Sequence, residues 1–123
     1  MESVTEYVKR VVANADIEMK PFGAGSNPSA VASTGSRGYQ AIDRTLRELF
    51  PGTVVAPGLM LGATDSRHFQ ALSTNIFKFS PVRALPEDLS RFHGTDERIS
   101  LANLAEMVRF YHRLLRHTAV PAS

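Results

Sequence analysis

Two short stretches of this sequence carry residue types that do chemistry. The first is Gly62-Ala63-Thr64-Asp65-Ser66-Arg67-His68-Phe69. Glycine lets a backbone approach a ligand closely, amides at a helix N-terminus favour anions such as a carboxylate, and Arg67 can add a two-pronged carboxylate contact. The plainer alternative is a turn in which Thr64 or Asp65 caps the following helix, and composition favours it. The second stretch is Phe92-His93-Gly94-Thr95-Asp96-Glu97-Arg98-Ile99-Ser100. A histidine followed at three and four positions by carboxylates has the donor types of a zinc site. The alternative is a solvated loop in which Asp96 and Glu97 favour the N-terminus of the next helix.

The remaining histidines carry less. His112 lies on a helix as a surface or interface residue, His117 is a cation near a helix end, and His68 packs near the first loop. The sequence has no His-Glu-x-x-His, His-x-Asp or Gly-x-Ser-x-Gly, and no phosphate loop. Cysteine is absent, which excludes disulfides, thiolate ligands and a cysteine nucleophile.

The elements that must hold these loops follow from periodicity. Residues 3–13 place Val4, Tyr7, Val8, Val11 and Val12 on one helical face. Residues 17–20 alternate as a half-buried strand does, before Pro21 and Gly23. Residues 23–38 are rich in glycine and serine and read as a linker. A second amphipathic helix spans 39–50, with Tyr39, Ile42, Leu46 and Leu49 as its stripe. Short strands are expected at 54–56 and 76–79, a short helix at 66–72, and irregular chain over 82–98. A last helix runs from Leu101 to His117, with Ser100 as N-cap and an apolar face of Leu101, Leu104, Val108, Tyr111 and Leu115. Alternating helix and strand in the second half points to an α/β fold.

Bulk properties narrow the function class. With 43% hydrophobic and 21% charged residues, the 123-residue chain has the balance of a globular protein and is not disordered as a whole. The 14 Lys and Arg against 12 Asp and Glu leave a net +2 without any run of like charge, so no nucleic-acid partner is expected. No apolar run reaches the ~18 residues of a membrane span, and the acidic start, Met1-Glu2-Ser3-Val4-Thr5-Glu6, is not expected to be a signal peptide. A soluble chain without a membrane partner is the expectation; the compartment stays open.

Three blocks, Thr64-Asp65-Ser66-Arg67-His68-Phe69, Ile76-Phe77-Lys78-Phe79-Ser80-Pro81 and His93-Gly94-Thr95-Asp96-Glu97-Arg98-Ile99-Ser100, occur in one order and spacing. Together they resemble the carboxy-terminal signature of the zinc metallopeptidase and amidohydrolase family of carboxypeptidase S (Gly-X carboxypeptidase), aminoacylase and succinyl-diaminopimelate desuccinylase. The likeness is good over 39–118, weak over 1–38, and nearest to the carboxypeptidase S branch. It implies an α/β catalytic domain, with helices on a mixed sheet, two zinc ions and an inserted lid. On that template residues 1–22 resemble the last helix and strand of the lid, 23–38 the linker, 39–118 the end of the catalytic domain, and 119–123 a tail.

By the same resemblance His93 matches the last zinc-binding histidine. Gly62, Thr64, Asp65 and Arg67 match the loop beside the substrate pocket, and Glu97 matches an acidic residue that orients the metal site. Asp96 stands where relatives often have Asn. The implied activity is zinc-assisted hydrolysis of a peptide or N-acyl-amino-acid amide. The family's earlier His-x-Asp pair, bridging aspartate and adjacent glutamates are absent from these residues, so the chain alone is expected to be inactive, with at most a partial metal site. The rival expectation is a non-catalytic module that self-associates, as a homo-oligomer, or binds a partner.

Overall fold

The computed structural model describes residues 2–20, 22–23, 28–62 and 64–119. The chain divides into two units, with the division between Ala30 and Val31.

In the first unit, α1 (Glu2–Val12) carries Lys9 and Arg10 in its last turn, where cations suit the helix dipole. The Arg10 guanidinium lies over the Tyr7 ring, 5.2 Å from its centre. Ala13 takes a left-handed backbone (φ 46°) and Asn14 accepts a bond from the Asp16 amide, which ends the helix as Asn14 and Asp16 promised. The apolar face of α1 is exposed throughout.

The second unit rests on α2 (Arg37–Leu49) and α3 (Leu101–Thr118), which pack against each other. Ser36 caps α2 by accepting from the Tyr39 amide, so the helix starts two residues before the expected 39. Its outer surface carries two i,i+4 ion pairs, Asp43–Arg47 at 3.0 Å and Arg44–Glu48 at 2.8 Å. The hydrogen bond and charge of Asp43 raise the Arg47 pKa. Pro51 and Gly52 (φ 84°) stop the helix, as expected. Ser100 caps α3 by accepting from the Asn103 amide, also as expected.

No strand occurs among the described residues. Residues 17–20, 54–56 and 76–79, expected as strands, have no ladder. The reason is that a strand exists only by hydrogen bonding to a neighbour, and no described segment supplies one. The alternation at 76–79 still has a use. Phe77 and Phe79 point the same way: Phe77 meets Tyr39, ring centres 6.0 Å apart, and Phe79 meets Phe110 at 5.3 Å. Gly38 permits the first contact, since a Cβ there would lie 3.0 Å from the Phe77 ring.

The apolar face of α3 differs from the expected one. Leu101, Val108 and Leu115 are 84%, 64% and 60% exposed, and Leu104 and Tyr111 are also exposed. The protected row is Asn103, Met107, Phe110, Leu114 and His117, at helical steps of four and three. Hydrophobicity alone could not rank the two rows, because the protected one begins on an amide and ends on an imidazole.

Those polar members do the joining. The Asn103 amide, 3% exposed, donates to the Pro81 carbonyl at 3.0 Å and to Glu106 at 3.2 Å, and accepts from the Arg83 amide at 2.9 Å. Arg83 grips Glu106 at 2.6 and 3.0 Å and lies over the Phe50 ring at the end of α2. At the far end Glu48 of α2 meets His117 at 3.0 Å and Arg113 at 3.6 Å on α3. Both carboxylates are held below their usual range. Glu48 owes this first to the hydrogen bond from Arg44, then to that from His117; Glu106 owes it chiefly to Arg83, with Asn103 adding.

Removing the Asn103 amide would strand the Pro81 carbonyl and the Arg83 amide. Asn103→Ala is expected to destabilise the second unit by about 2–3 kcal/mol, measured by urea unfolding. A loss under about 0.5 kcal/mol would contradict the joining role.

Acid supplies a second check. A carboxylate depressed in the folded state contributes stability that is full above its unfolded pKa and is lost as pH falls through its folded value. The urea midpoint is therefore expected to fall between neutral pH and about pH 3, and to fall less steeply in Glu48→Gln and Glu106→Gln.

Candidate functional site

The first loop is organised by Thr64. Its hydroxyl accepts from the Ser66 amide at 3.2 Å and lies 2.6 Å from the Ser66 hydroxyl, while its carbonyl accepts from the Arg67 amide. These bonds open a 3-10 helix, Asp65–Phe69. The expected helix at 66–72 is thus a short 3-10 helix at Asp65–Phe69, followed by turns at 70–72. So short an element has little dipole, and the expected attraction of its amides for a carboxylate goes with it. Asp65 and Arg67 are exposed, and Arg67 donates to His68 at 3.3 Å. The Gly62 carbonyl accepts from Lys78 at 3.0 Å, which anchors the loop to the segment that carries Phe77 and Phe79.

The second loop is built by chain geometry. Within the region expected to be irregular, Pro86–Arg91 forms a 3-10 helix. Asp88 accepts from the Leu85 amide at 3.0 Å and from the Arg91 guanidinium at 2.8 Å, closing that helix at both ends. The chain then turns back: the Gly94 amide donates to the Arg91 carbonyl at 2.8 Å. A Cβ at Gly94 would stand 2.8 Å from the Ser90 carbonyl oxygen, so glycine is required there by space. His93, just before it, is left-handed (φ 57°), and Asp96 just after is left-handed too (φ 58°). The His93 ring meets the edge of Phe92, centres 6.3 Å apart.

Glu97 lines a hollow of about 330 Å³ with Arg83, Arg91, Phe92, Arg98 and Ile99. It makes no hydrogen bond to His93 among the described residues. Nor does any hydrogen bond, ion pair or ring contact among them join the two loops. A zinc site takes three or four protein ligands. No group of three or more His, Asp, Glu or Cys able to hold a metal occurs among the described residues. The residues described in this chain therefore do not by themselves fit a zinc ion.

Sequence reasoning missed Asp88 and Lys78, which shape the two loops, and Asn103. For Asn103 a signal existed: a short polar residue three after a serine N-cap, in helical register with Met107, Phe110 and Leu114.

The strain predicts an unusual response to substitution. A non-glycine residue in left-handed backbone costs about 1 kcal/mol, so His93→Gly is expected to leave stability unchanged or raise it by up to ~1 kcal/mol. Gly94→Ala, in contrast, is expected to lower it by about 1–3 kcal/mol and to shift the His93 ring resonances. Gly58→Ala, in open space, serves as control. Equal effects of the two alanine substitutions would show that the close approach at Gly94 does not shape the loop.

The sequence profile of peptidase family M20/M25/M40 matches residues 4–117. The chain is 35% identical over 115 residues to "Probable carboxypeptidase S-like 2" of Dictyostelium discoideum, covering 94% of this chain and 22% of that protein. It is 34% identical over 122 residues to "N-fatty-acyl-amino acid synthase/hydrolase PM20D1.1" of Danio rerio, covering 98% and 24%. The human "N-fatty-acyl-amino acid synthase/hydrolase PM20D1" is 32% identical over 120 residues, covering 95% and 24%. The chain thus spans about a quarter of the length of these curated relatives.

Proposed function

This chain belongs to peptidase family M20/M25/M40, and from that premise we propose that it is the carboxy-terminal part of a zinc-dependent carboxypeptidase or N-acyl-amino-acid amidohydrolase. The observation that carries the reading is the family match over residues 4–117; beside it, His93 takes left-handed backbone and precedes a glycine where a Cβ would stand 2.8 Å from the Ser90 carbonyl oxygen. Strain of this kind is kept where a side chain must be aimed. In the complete enzyme His93 binds one of two zinc ions, Glu97 orients the site, and Gly62, Thr64, Asp65 and Arg67 border the substrate pocket. The substrate is a peptide or an N-acyl amino acid. By itself the chain is inactive.

The same reading extends to architecture. Residues 1–22 belong to a lid, 23–38 to its linker, of which 24–27 lie outside the described residues, and 39–118 to the catalytic domain. The exposed row of α3, Leu101 to Leu115, supports this, because an amphipathic helix has such a row to meet a further layer. Residues 54–56 and 76–79 become strands of a mixed sheet once neighbours pair with them. A second reading draws on the same exposed rows of α1 and α3: a module that self-associates.

The test uses the 123-residue chain and a graft. The chain with added zinc is expected to hydrolyse neither dipeptides nor N-acyl amino acids. Turnover that vanishes with His93→Ala would show a complete site and sink the partial-site reading. Grafted in place of the matching quarter of the Danio rerio relative, it should sustain hydrolysis of an N-acyl amino acid, falling at least ~100-fold with His93→Ala. A graft indifferent to His93 would overturn the metal assignment. Gel filtration of the same chain decides the second reading, which a monomer would remove.

A further inference from the structure

The length of α3 carries three rows of side chains. One packs within the second unit, one is apolar and exposed, and the third is Arg109, His112, Arg113 and Arg116. Spaced by three, four and seven from Arg109, these four leave the same side of the helix. They line one hollow of about 360 Å³, bounded on the α2 side by Leu49.

The row is short of counter-charge. On α2 each exposed cation of the last turns has a carboxylate four residues away, Asp43 for Arg47 and Glu48 for Arg44. On α3 the i,i+4 pairs within the row are Arg109 with Arg113 and His112 with Arg116, which place cationic groups together and disfavour the helix when both are charged. Two carboxylates lie near, and both are engaged. Glu48 takes Arg44 at 2.8 Å and His117 at 3.0 Å and leaves Arg113 at 3.6 Å. Glu106, three before Arg109, is gripped by both prongs of Arg83, and the charge of Arg109 adds least to holding its carboxyl low. Neither His112 nor Arg116 has a hydrogen-bond or ion-pair partner among the described residues. Only part of this excess is owed to the helix dipole, which Arg116 and His117 offset in the last turn; Arg109 and Arg113 lie further back.

We infer that this row is a binding site for a phosphate group. Planar guanidinium forks match phosphate oxygens two at a time, and the hollow has room for a phosphate with part of what carries it. From Arg109 to Arg116 the row rises only ~11 Å. It presents no Phe, Tyr or Trp and a single imidazole, so it has neither the length nor the run of stacking rings of a nucleic-acid groove. The site is separate from the loops at residues 62–69 and 92–100 and does not depend on the hydrolytic reading.

The test titrates the 123-residue chain with inorganic pyrophosphate and, separately, with phosphatidylcholine vesicles with and without phosphatidic acid. Saturable pyrophosphate binding is expected, weakened by rising sodium chloride and about tenfold or more by Arg109→Gln with Arg116→Gln. Arg109→Lys with Arg116→Lys should retain part of it. Binding confined to pyrophosphate identifies a soluble phosphate compound as the ligand, and binding to phosphatidic acid vesicles as well identifies a lipid headgroup. If neither probe binds, or if the glutamine pair binds as well as the parent chain, the inference is wrong. Circular dichroism verifies the fold of each variant. Should the pair unfold, the single Arg116→Gln, on an exposed side chain, replaces it and is held to the same outcome.

Discussion

The second unit depends on one buried amide. Asn103 has a donor and an acceptor on adjacent atoms, and the segment at Pro81–Arg83 offers a carbonyl and an amide to match. An apolar side chain could fill the space but would leave both backbone groups unpaired. Because the match fixes the position of Arg83, it also fixes the Arg83–Glu106 pair and the guanidinium over Phe50. One residue of α3 thus sets where the middle of the chain lies and how that segment reaches the end of α2. Beside it, among the described residues, Leu46 and Phe110 alone are buried hydrophobics.

The helices were legible in the sequence because each carries its own instructions. Ser100 caps α3, Pro51 and Gly52 stop α2, and the 3.6-residue period marks the faces, whereas the cap at Ser36 was hidden in a stretch that reads as linker. What was not legible was which of two faces of α3 would be covered. Periodicity counts apolar residues, and the covered row is joined at Asn103 and His117, which that count ignores. The strands fall in the same class. Alternation at 76–79 is a local property and persists as the common direction of Phe77 and Phe79, whereas a ladder needs a partner that local sequence cannot name.

The two loops differ in what their residues could disclose. The capping by Thr64 follows from residue type and position. Nothing in the type of His93 distinguishes it from His68 or His112; only the ordered blocks around it single it out. Its structural mark is conformational, a left-handed backbone followed by a glycine with no room for a Cβ, and single-residue preferences are too weak to announce that for a histidine.

Asp96 shares the left-handed backbone of His93, and this bears on what the loop tolerates over time. Such a position admits few residue types, chiefly glycine, asparagine, aspartate and histidine. Exchange between aspartate and asparagine there leaves the main chain where it was while it changes the formal charge and turns one acceptor oxygen into an amide donor. The loop can therefore retune the electrostatic character of its rim in one substitution while the backbone path that presents its neighbour stays fixed.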